Sequence, residues 1–165
     1  MNDDARCEAG QLAGFLPYQL SIASNAVSSL IAERYRKRFG LTIPEWRVMA
    51  VLGDAASHQG AGAGAAGLTQ RALTRATLMD KVAVNRAVRV LEERALVARL
   101  PNPADGRSQL LELTDEGRAI HAEVMPLALA TESELLAGFA EDQQAALRQM
   151  LQDIRARAGE LFARQ

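Results

Sequence analysis

Three glycines in the middle of the chain have a spacing that can bind a nucleotide. Gly62, Gly64 and Gly67 form the pattern G-x-G-x-x-G, whose backbone N–H groups can approach a pyrophosphate closely at the start of a helix. A dinucleotide-binding loop of this kind directly follows a strand. Here the preceding apolar residues end at Leu52, well before the first glycine, and no strand–helix–strand alternation occurs. The pattern therefore predicts a flexible surface loop and no cofactor.

Residue types for catalysis or metal binding are scarce. His58 and His121 are the only histidines, and neither has the paired His or Glu-x-x-His spacing of a metal site. No histidine lies near a nucleophile in a recognisable motif, so we expect neither a metal site nor an enzyme. The single Cys7 excludes an internal disulfide, and we interpret it as an incidental thiol. No segment resembles a membrane span or a signal peptide, and we expect a cytoplasmic protein.

Basic residues are concentrated in the middle of the chain. The net charge of the whole sequence is −1, but residues 68–113 contain eight basic and five acidic residues. The remainder contains eleven basic and fifteen acidic residues. A basic centre between acidic ends indicates a surface for a polyanion such as nucleic acid.

The basic region has the pattern of a helix-turn-helix followed by a β-hairpin. Thr69 and Asp80 are predicted N-caps of two short helices. The strands LVARL and SQLLEL enclose the turn PNPADGR, which predicts a hairpin, or wing, directly after the second helix. A first helix over Leu12–Phe39, ended by Gly40, precedes this region. A second, with a capping box at its start, runs to about Gly53.

Two long helices follow the hairpin, one from Thr114 to about Leu136 and one over Asp142–Phe162. The apolar stripes of the terminal helices have no obvious partner within the chain, so we expect them to pair across a homodimer. The predicted fold is mainly α with a small β-wing: a winged helix-turn-helix with N- and C-terminal dimerisation helices. The predicted domains are residues 1–40 (tail and dimerisation helix), 41–113 (winged helix-turn-helix) and 114–165 (C-terminal dimerisation helices).

The second helix of the helix-turn-helix is predicted to enter the major groove of DNA. Four residues lie on one face and should pack inward: Val84, Val88, Leu91 and Ala95. On the opposite face Arg86 can bind guanine and Asn85 can bind adenine, while Val82 can contact a thymine methyl group. The predicted DNA-binding residues are Thr69, Gln70, Lys81, Val82, Ala83, Asn85, Arg86, Arg89, Asp105 and Arg107.

With these segments together, the chain resembles the MarR family of transcriptional regulators. The segments that carry the resemblance are GLTIPEWRVMAVL, LTQRAL, MDKVAVNRAVRVLEERALV and DGRSQLLELTDEG. The resemblance implies a homodimer on a pseudo-palindromic operator, with Asp105 orienting the wing arginine and Arg107 reaching the minor groove. Three features depart from the family. Ala83 and Asn85 stand where Ser or Thr is common, Ala95 replaces a frequent Gly, and the Gly60–Gly67 loop is longer than usual.

The resemblance also implies regulation by a small molecule. One redox branch of the family has a cysteine in a Q-L-C stretch of the first helix, but Ser21 stands at that position here, and a hydroxyl cannot form a sulfenic acid. We therefore expect a repressor released by an aromatic or phenolic effector. Its predicted contacts are Tyr18, Ser21, Asn25 and Arg47. An activator, a regulator without an effector, and a winged helix that binds protein instead of DNA are the alternatives.

Overall fold

The computed structural model describes residues 12–58 and 67–164. Cys7 and most of the Gly60–Gly67 loop lie outside the described residues, as does the side chain of His58. The chain divides into two compact units, Met1–Ala128 and Leu129–Gln165. The helices are α1 (Leu16–Phe39), α2 (Ile43–His58), α3 (Gln70–Thr77), α4 (Lys81–Glu93), α5 (Asp115–Leu136) and α6 (Glu141–Ala163). The strands are β1 (Leu68–Thr69), β2 (Val97–Pro101) and β3 (Gln109–Leu113).

The predicted helix over Leu12–Phe39 is interrupted near its start. Residues 12–14 are helical, Phe15 has extended backbone angles, and α1 begins at Leu16. Pro17 explains the interruption, because its missing N–H is tolerated only in the first turn of a helix. At the other end the predicted cap is confirmed. Gly40 has a φ of 62° and donates its N–H to the carbonyl of Arg36 at 2.9 Å.

Helix α2 is longer than the sequence predicts, since it continues through Gly53 to His58. Its start follows the expected capping pattern, with the carboxylate of Glu45 accepting the N–H of Thr42 at 2.9 Å. A Cβ on Gly53 would lie 2.4 Å from Nε2 of His121. The glycine therefore permits close packing of α2 against the imidazole ring of α5 and does not end the helix.

The three strands form an antiparallel sheet in the order β1–β3–β2. The predicted hairpin of β2 and β3 is confirmed, with Val97 opposite Leu113 and Pro101 opposite Gln109. Strand β1 was not predicted, because two residues are too few for a periodic signal. Gly67, assigned above to a flexible loop, instead has a packing role. A Cβ there would lie 2.7 Å from Cβ of Leu110.

The core of the first unit holds α4 by one face. Val84, Val88 and Leu91 of α4 are fully buried, as are Leu73 of α3 and Leu111 of β3. This confirms the predicted inward face at Val84, Val88 and Leu91. The prediction is wrong for Ala95, which is exposed because α4 ends at Glu93 and the helical periodicity does not reach it. Helix α2 packs against α3, α4 and β3, so the helix-turn-helix and the sheet share one core.

The C-terminal end of α4 is a Schellman motif without glycine. Ala95 has a φ of 55° and donates its N–H to the carbonyl of Glu92 at 2.9 Å. The next N–H, of Leu96, reaches the carbonyl of Leu91 at 2.8 Å, and both leucines are buried. This pairing is characteristic of the motif. Glycine would adopt this left-handed backbone without strain.

The wing and α5 are joined to this motif by Thr114. Its hydroxyl donates to the carbonyl of Ala95 at 2.7 Å and accepts the N–H of Gly117 at 3.0 Å, which confirms the predicted cap of α5. Its N–H bonds the carbonyl of Leu96 at 3.1 Å. A Cβ on Gly117 would lie only 2.0 Å from that same carbonyl oxygen. The end of α4, the wing and the start of α5 therefore meet at one tightly packed point.

Replacing Ala95 with glycine should stabilise the protein. The exposed methyl group contributes little packing, whereas a left-handed alanine carries a backbone strain that glycine avoids. We expect Ala95→Gly to raise the free energy of unfolding by about 1 kcal/mol, and Tm by roughly 2–4 °C. Thermal denaturation followed by circular dichroism measures the change.

Ala122→Gly is the matched control, because Ala122 is exposed within regular helix α5. It should lower the free energy of unfolding by roughly 0.5–1 kcal/mol. A Tm for Ala95→Gly at or below that of the wild type would contradict the strain at Ala95.

Candidate nucleic-acid interface

Helix α4 presents a polar and cationic face on the side opposite its buried row. Asp80 fixes the start of the helix by accepting the N–H of Ala83 at 2.8 Å. Val82 is 68% exposed, and Lys81, Asn85 and Arg86 are also exposed. An exposed apolar residue beside amide and guanidinium groups matches the mixture of methyl groups and hydrogen-bonding atoms on base edges.

The two arginines of this face differ in their surroundings. Arg89 donates from Nε to the carboxylate of Glu93 at 2.9 Å, one turn further along. Both side chains are exposed, so the pair contributes at most about 0.5 kcal/mol and a phosphate can replace the carboxylate. Arg86 makes no hydrogen bond or ion pair with the other described residues. Its five N–H donors therefore remain available to an acceptor from outside the chain.

A hydrogen-bond network connects α3, α4 and β2 beside this face. Arg99 of β2 binds both carboxylate oxygens of Glu92, at 2.6 and 3.0 Å. Arg99 also reaches Oε1 of Gln70 at 3.4 Å, and the amide of Gln70 donates to Oδ1 of Asn85. The orientation of Asn85 thus depends on a residue of the wing strand. Arg99 could not be identified from the sequence, because the pairing requires the end of α4 and strand β2 to fold back on each other.

A groove between α3 and α4 adds positive charge next to the network. Its volume is about 620 Å³. Its lining residues are Gln70, Arg71, Thr74, Arg75, Lys81 and Asn85. Arg71 and Arg75, one turn apart on α3, were not among the predicted site residues, although their spacing places them on one helix face. Thr69 uses its hydroxyl to cap α3, accepting the N–H of Ala72 at 3.2 Å.

The wing tip is held in shape by its own polar side chains. Asn102 donates its amide to the hydroxyl of Ser108 at 2.7 Å and accepts the N–H of Ala104 at 3.0 Å. The carboxylate of Asp105 accepts the backbone N–H of Arg107 at 3.1 Å. Asp105 therefore positions Arg107 through the main chain. The guanidinium of Arg107 extends into solvent and has no partner among the described residues.

A second, smaller cavity lies between α1 and α2. Its volume is about 180 Å³. Its lining residues are Ser28, Ile31, Tyr35, Ile43, Trp46, Arg47 and Ala50. Arg47 lies 3.5 Å from the hydroxyl of Ser28 and carries the only charge among these lining residues. Of the predicted effector contacts the structure brings only Arg47 to the cavity. The other three, Tyr18, Ser21 and Asn25, are exposed nearer the N-terminal end of α1.

Two of the lining residues, Tyr35 and Trp46, belong to a row of rings that continues to His121. The rings of Tyr35 and Trp46 are 5.7 Å apart, and those of Trp46 and His121 are 5.6 Å apart and stacked. Burial raises the pKa of Tyr35 to about 12. Burial also lowers the pKa of His121, although the carboxylate of Asp54 opposes this shift. Both rings are therefore neutral at pH 7, and Nε2 of His121 has no hydrogen-bond partner in the described part of the chain.

Residues 12–58 and 67–164 contain neither a metal cluster nor a membrane-spanning helix. No group of three or more His, Cys, Asp or Glu side chains there is arranged to hold a metal ion. None of the helices in these ranges has the length and apolar character needed to cross a membrane.

The comparisons with known proteins agree with this geometry. A family model described as "MarR family" matches residues 39–108, which extend from the end of α1 into the wing. The curated protein "Transcriptional regulator HosA" from Escherichia coli O111:H- is 29% identical over 111 residues, which are 67% of this chain and 75% of HosA.

Solved structures share the fold. A putative MarR family transcriptional regulator from Listeria monocytogenes, crystallised with a 26mer DNA, superimposes with a TM-score of 0.75 at 17% identity, over 88% of this chain and 90% of that one. BpsR from Bordetella bronchiseptica, described as regulated in DNA binding by 6-hydroxynicotinic acid, gives a TM-score of 0.67 at 24% identity, over 85% and 98%. Family match, relative and shared fold together make this chain similar to the MarR family of winged-helix transcriptional regulators.

Proposed function

We propose that the protein is a homodimeric repressor that reads a pseudo-palindromic operator with helix α4. The observation that carries this proposal is the division of α4 into two faces. Val84, Val88 and Leu91 are fully buried, so Val82 and Arg86 are fixed on the outside. A helix held in this way, beside a basic groove, can dock in the major groove without rearrangement.

The side chains of the outer face suit distinct acceptors on DNA. Arg86 suits O6 and N7 of guanine, where its paired N–H groups bind bidentately. Asn85 suits N6 and N7 of adenine, and its contact with Gln70 limits its rotamers beforehand. Val82 suits a thymine methyl group. The short side chain of Ala83 allows α4 to approach the bases closely.

Phosphate contacts fall to the cations around this face. The groove between α3 and α4 is lined by Arg71, Arg75 and Lys81. In helix-turn-helix proteins the first helix of the motif crosses the DNA backbone, which would bring phosphates close to these cations. Arg89 adds a further positive charge along α4. In the wing, Arg107 extends from a turn whose shape Asp105 maintains. This arrangement favours insertion of its guanidinium into the minor groove.

Dimerisation would come from apolar stripes that are exposed in the single chain. Helix α6 carries one such stripe, and α1 has exposed apolar residues of its own. The α6 stripe comprises Leu147, Met150, Leu151, Ile154 and Leu161. Such a stripe is costly to leave in water and matches the spacing of a helix–helix interface. A twofold dimer would present two α4 helices to half-sites about one turn of DNA apart.

The effector would bind in the cavity between α1 and α2. A volume of about 180 Å³ suits a single aromatic ring, since apolar cavities of roughly 150 Å³ bind benzene. Trp46 and the neutral Tyr35 provide aromatic surface, and Arg47 can bind a carboxylate. The similarity to BpsR, whose description names 6-hydroxynicotinic acid, supports an aromatic acid. Because α2 also packs on α4, a ligand that displaces α2 would shift the recognition helix.

Replacing Arg86 and Arg71 separates base recognition from phosphate binding. On a duplex selected by the protein from a randomised library, Arg86→Ala should lose about 1–3 kcal/mol and relax specificity at one position. Arg71→Ala should weaken binding to all sequences and reduce the salt slope by about one. Fluorescence anisotropy at several salt concentrations measures both effects. Arg157→Ala, which removes an exposed ion pair on α6, is the control. Unchanged specific affinity in Arg86→Ala would count against the proposal.

Introducing a charge into the α6 stripe should produce a monomer. In Ile154→Asp the carboxylate would have to be buried without a partner in the interface. Light scattering coupled to size-exclusion chromatography should then give the mass of one chain. Operator affinity should fall by about a hundredfold or more, because two linked half-sites are lost. Gln152→Asp places the same charge away from the stripe and should remain dimeric. A dimeric Ile154→Asp with wild-type affinity would disprove the α6 interface.

An aromatic acid should stabilise the protein and weaken its DNA binding. At one hundred times its Kd, a ligand such as 6-hydroxynicotinic acid or benzoic acid should add about 2.7 kcal/mol to the free energy of unfolding. Thermal-shift measurement detects this change, and the same ligand should lower operator affinity in anisotropy. Arg47→Met should abolish both effects, whereas Arg36→Met, on a part of α1 outside the cavity, should not. If no aromatic acid changes either quantity, the effector class is wrong.

A further inference from the structure

One residue of the helix-turn-helix has an unfavourable backbone conformation that its side chain does not offset by packing against the described residues. Leu78, in the turn after α3, has φ 52° and ψ 21°, the left-handed region that disfavours any residue with a Cβ. Its side chain is 75% exposed, so burial of apolar surface does not compensate for the backbone strain. Glycine would avoid the strain. A strained, exposed leucine indicates that the side chain has a partner outside the chain.

The position of Leu78 indicates what that partner is. Leu78 lies three residues after Arg75 and three before Lys81, and both of these cations line the groove between α3 and α4. Val82, the other large exposed apolar residue of this helix-turn-helix, follows four residues later, in the first turn of α4. Because charged residues surround the two, the patch is too small and too polar for a protein interface. Apolar groups flanked by phosphates occur on B-DNA as the thymine methyl groups of the major groove.

We propose that Leu78 is a specificity-determining residue that packs against a thymine C5-methyl group at the edge of the major groove. This inference rests on the proposed function, because it requires the start of α4 to enter that groove. Leu78 would extend the apolar contact of Val82 to the neighbouring base pair. The chain thus retains a less stable turn in exchange for a thymine preference.

Two glycine substitutions test the proposal through effects of opposite sign. Leu78→Gly should raise Tm by a few degrees and weaken binding to the selected duplex about four- to fifteenfold, the value of one or two buried methyl groups in the whole complex. Ala95→Gly relieves the same left-handed strain away from this face and should raise Tm with no change in affinity. Leu78→Ala keeps the strained backbone but removes most of the side chain. It should leave Tm near the wild-type value and weaken binding as Leu78→Gly does.

Duplexes in which deoxyuridine replaces thymidine identify the DNA group. Removing the C5-methyl groups should weaken wild-type binding about fourfold or more, and on this duplex Leu78→Gly should lose little further affinity. An equal loss for Leu78→Gly on both duplexes would overturn the thymine contact and indicate the sugar–phosphate backbone. Wild-type affinity of Leu78→Gly, with Arg86→Ala still impaired, would overturn this inference alone. Wild-type affinity of both variants would overturn the proposed function as well.

Discussion

The burial of one face of α4 determines where the other functional groups lie. Val84, Val88 and Leu91 are completely inaccessible to solvent, and each contributes roughly 1.5–3 kcal/mol of hydrophobic stabilisation that rotation of the helix would remove. The helix therefore has one orientation in the first unit. The groups proposed to read bases are therefore limited to the positions that this orientation leaves outside, among them Arg86.

The surrounding elements are fixed to α4 by a few short-range contacts at its ends. At the C-terminal end, Ala95, Leu96 and Thr114 join the helix to the wing and to α5 through backbone hydrogen bonds. Near the same end, Arg99 of the wing strand binds Glu92. A displacement of α4 would therefore move the wing with it. Helix α2 contributes to the cavity through Arg47 and to the core through Val48, so it links the proposed effector site to the proposed recognition helix.

Features that depend on local chemistry could be predicted from the sequence, and those that depend on distant contacts could not. Thr69, Asp80 and Thr114 were identifiable as caps, because a cap needs only its own side chain and the next turn. The pairing of β1 with β3, the packing role of Gly67 and the contact of Arg99 with Gln70 require the tertiary fold. Gly53 suggested a helix end, since the imidazole that covers it belongs to a residue far along the chain. Leu78 had no signal at all, because its left-handed backbone is visible only in the structure.

Protection of guanine N7 from dimethyl sulfate tests most directly whether α4 occupies the major groove, because N7 is accessible only from that groove. With the selected operator bound, we expect protected guanines in two clusters about one helical turn apart, one for each subunit. Protection should persist at salt concentrations that remove non-specific binding. Stable, specific binding with every guanine N7 of the operator still reactive would contradict the placement of α4 in the major groove.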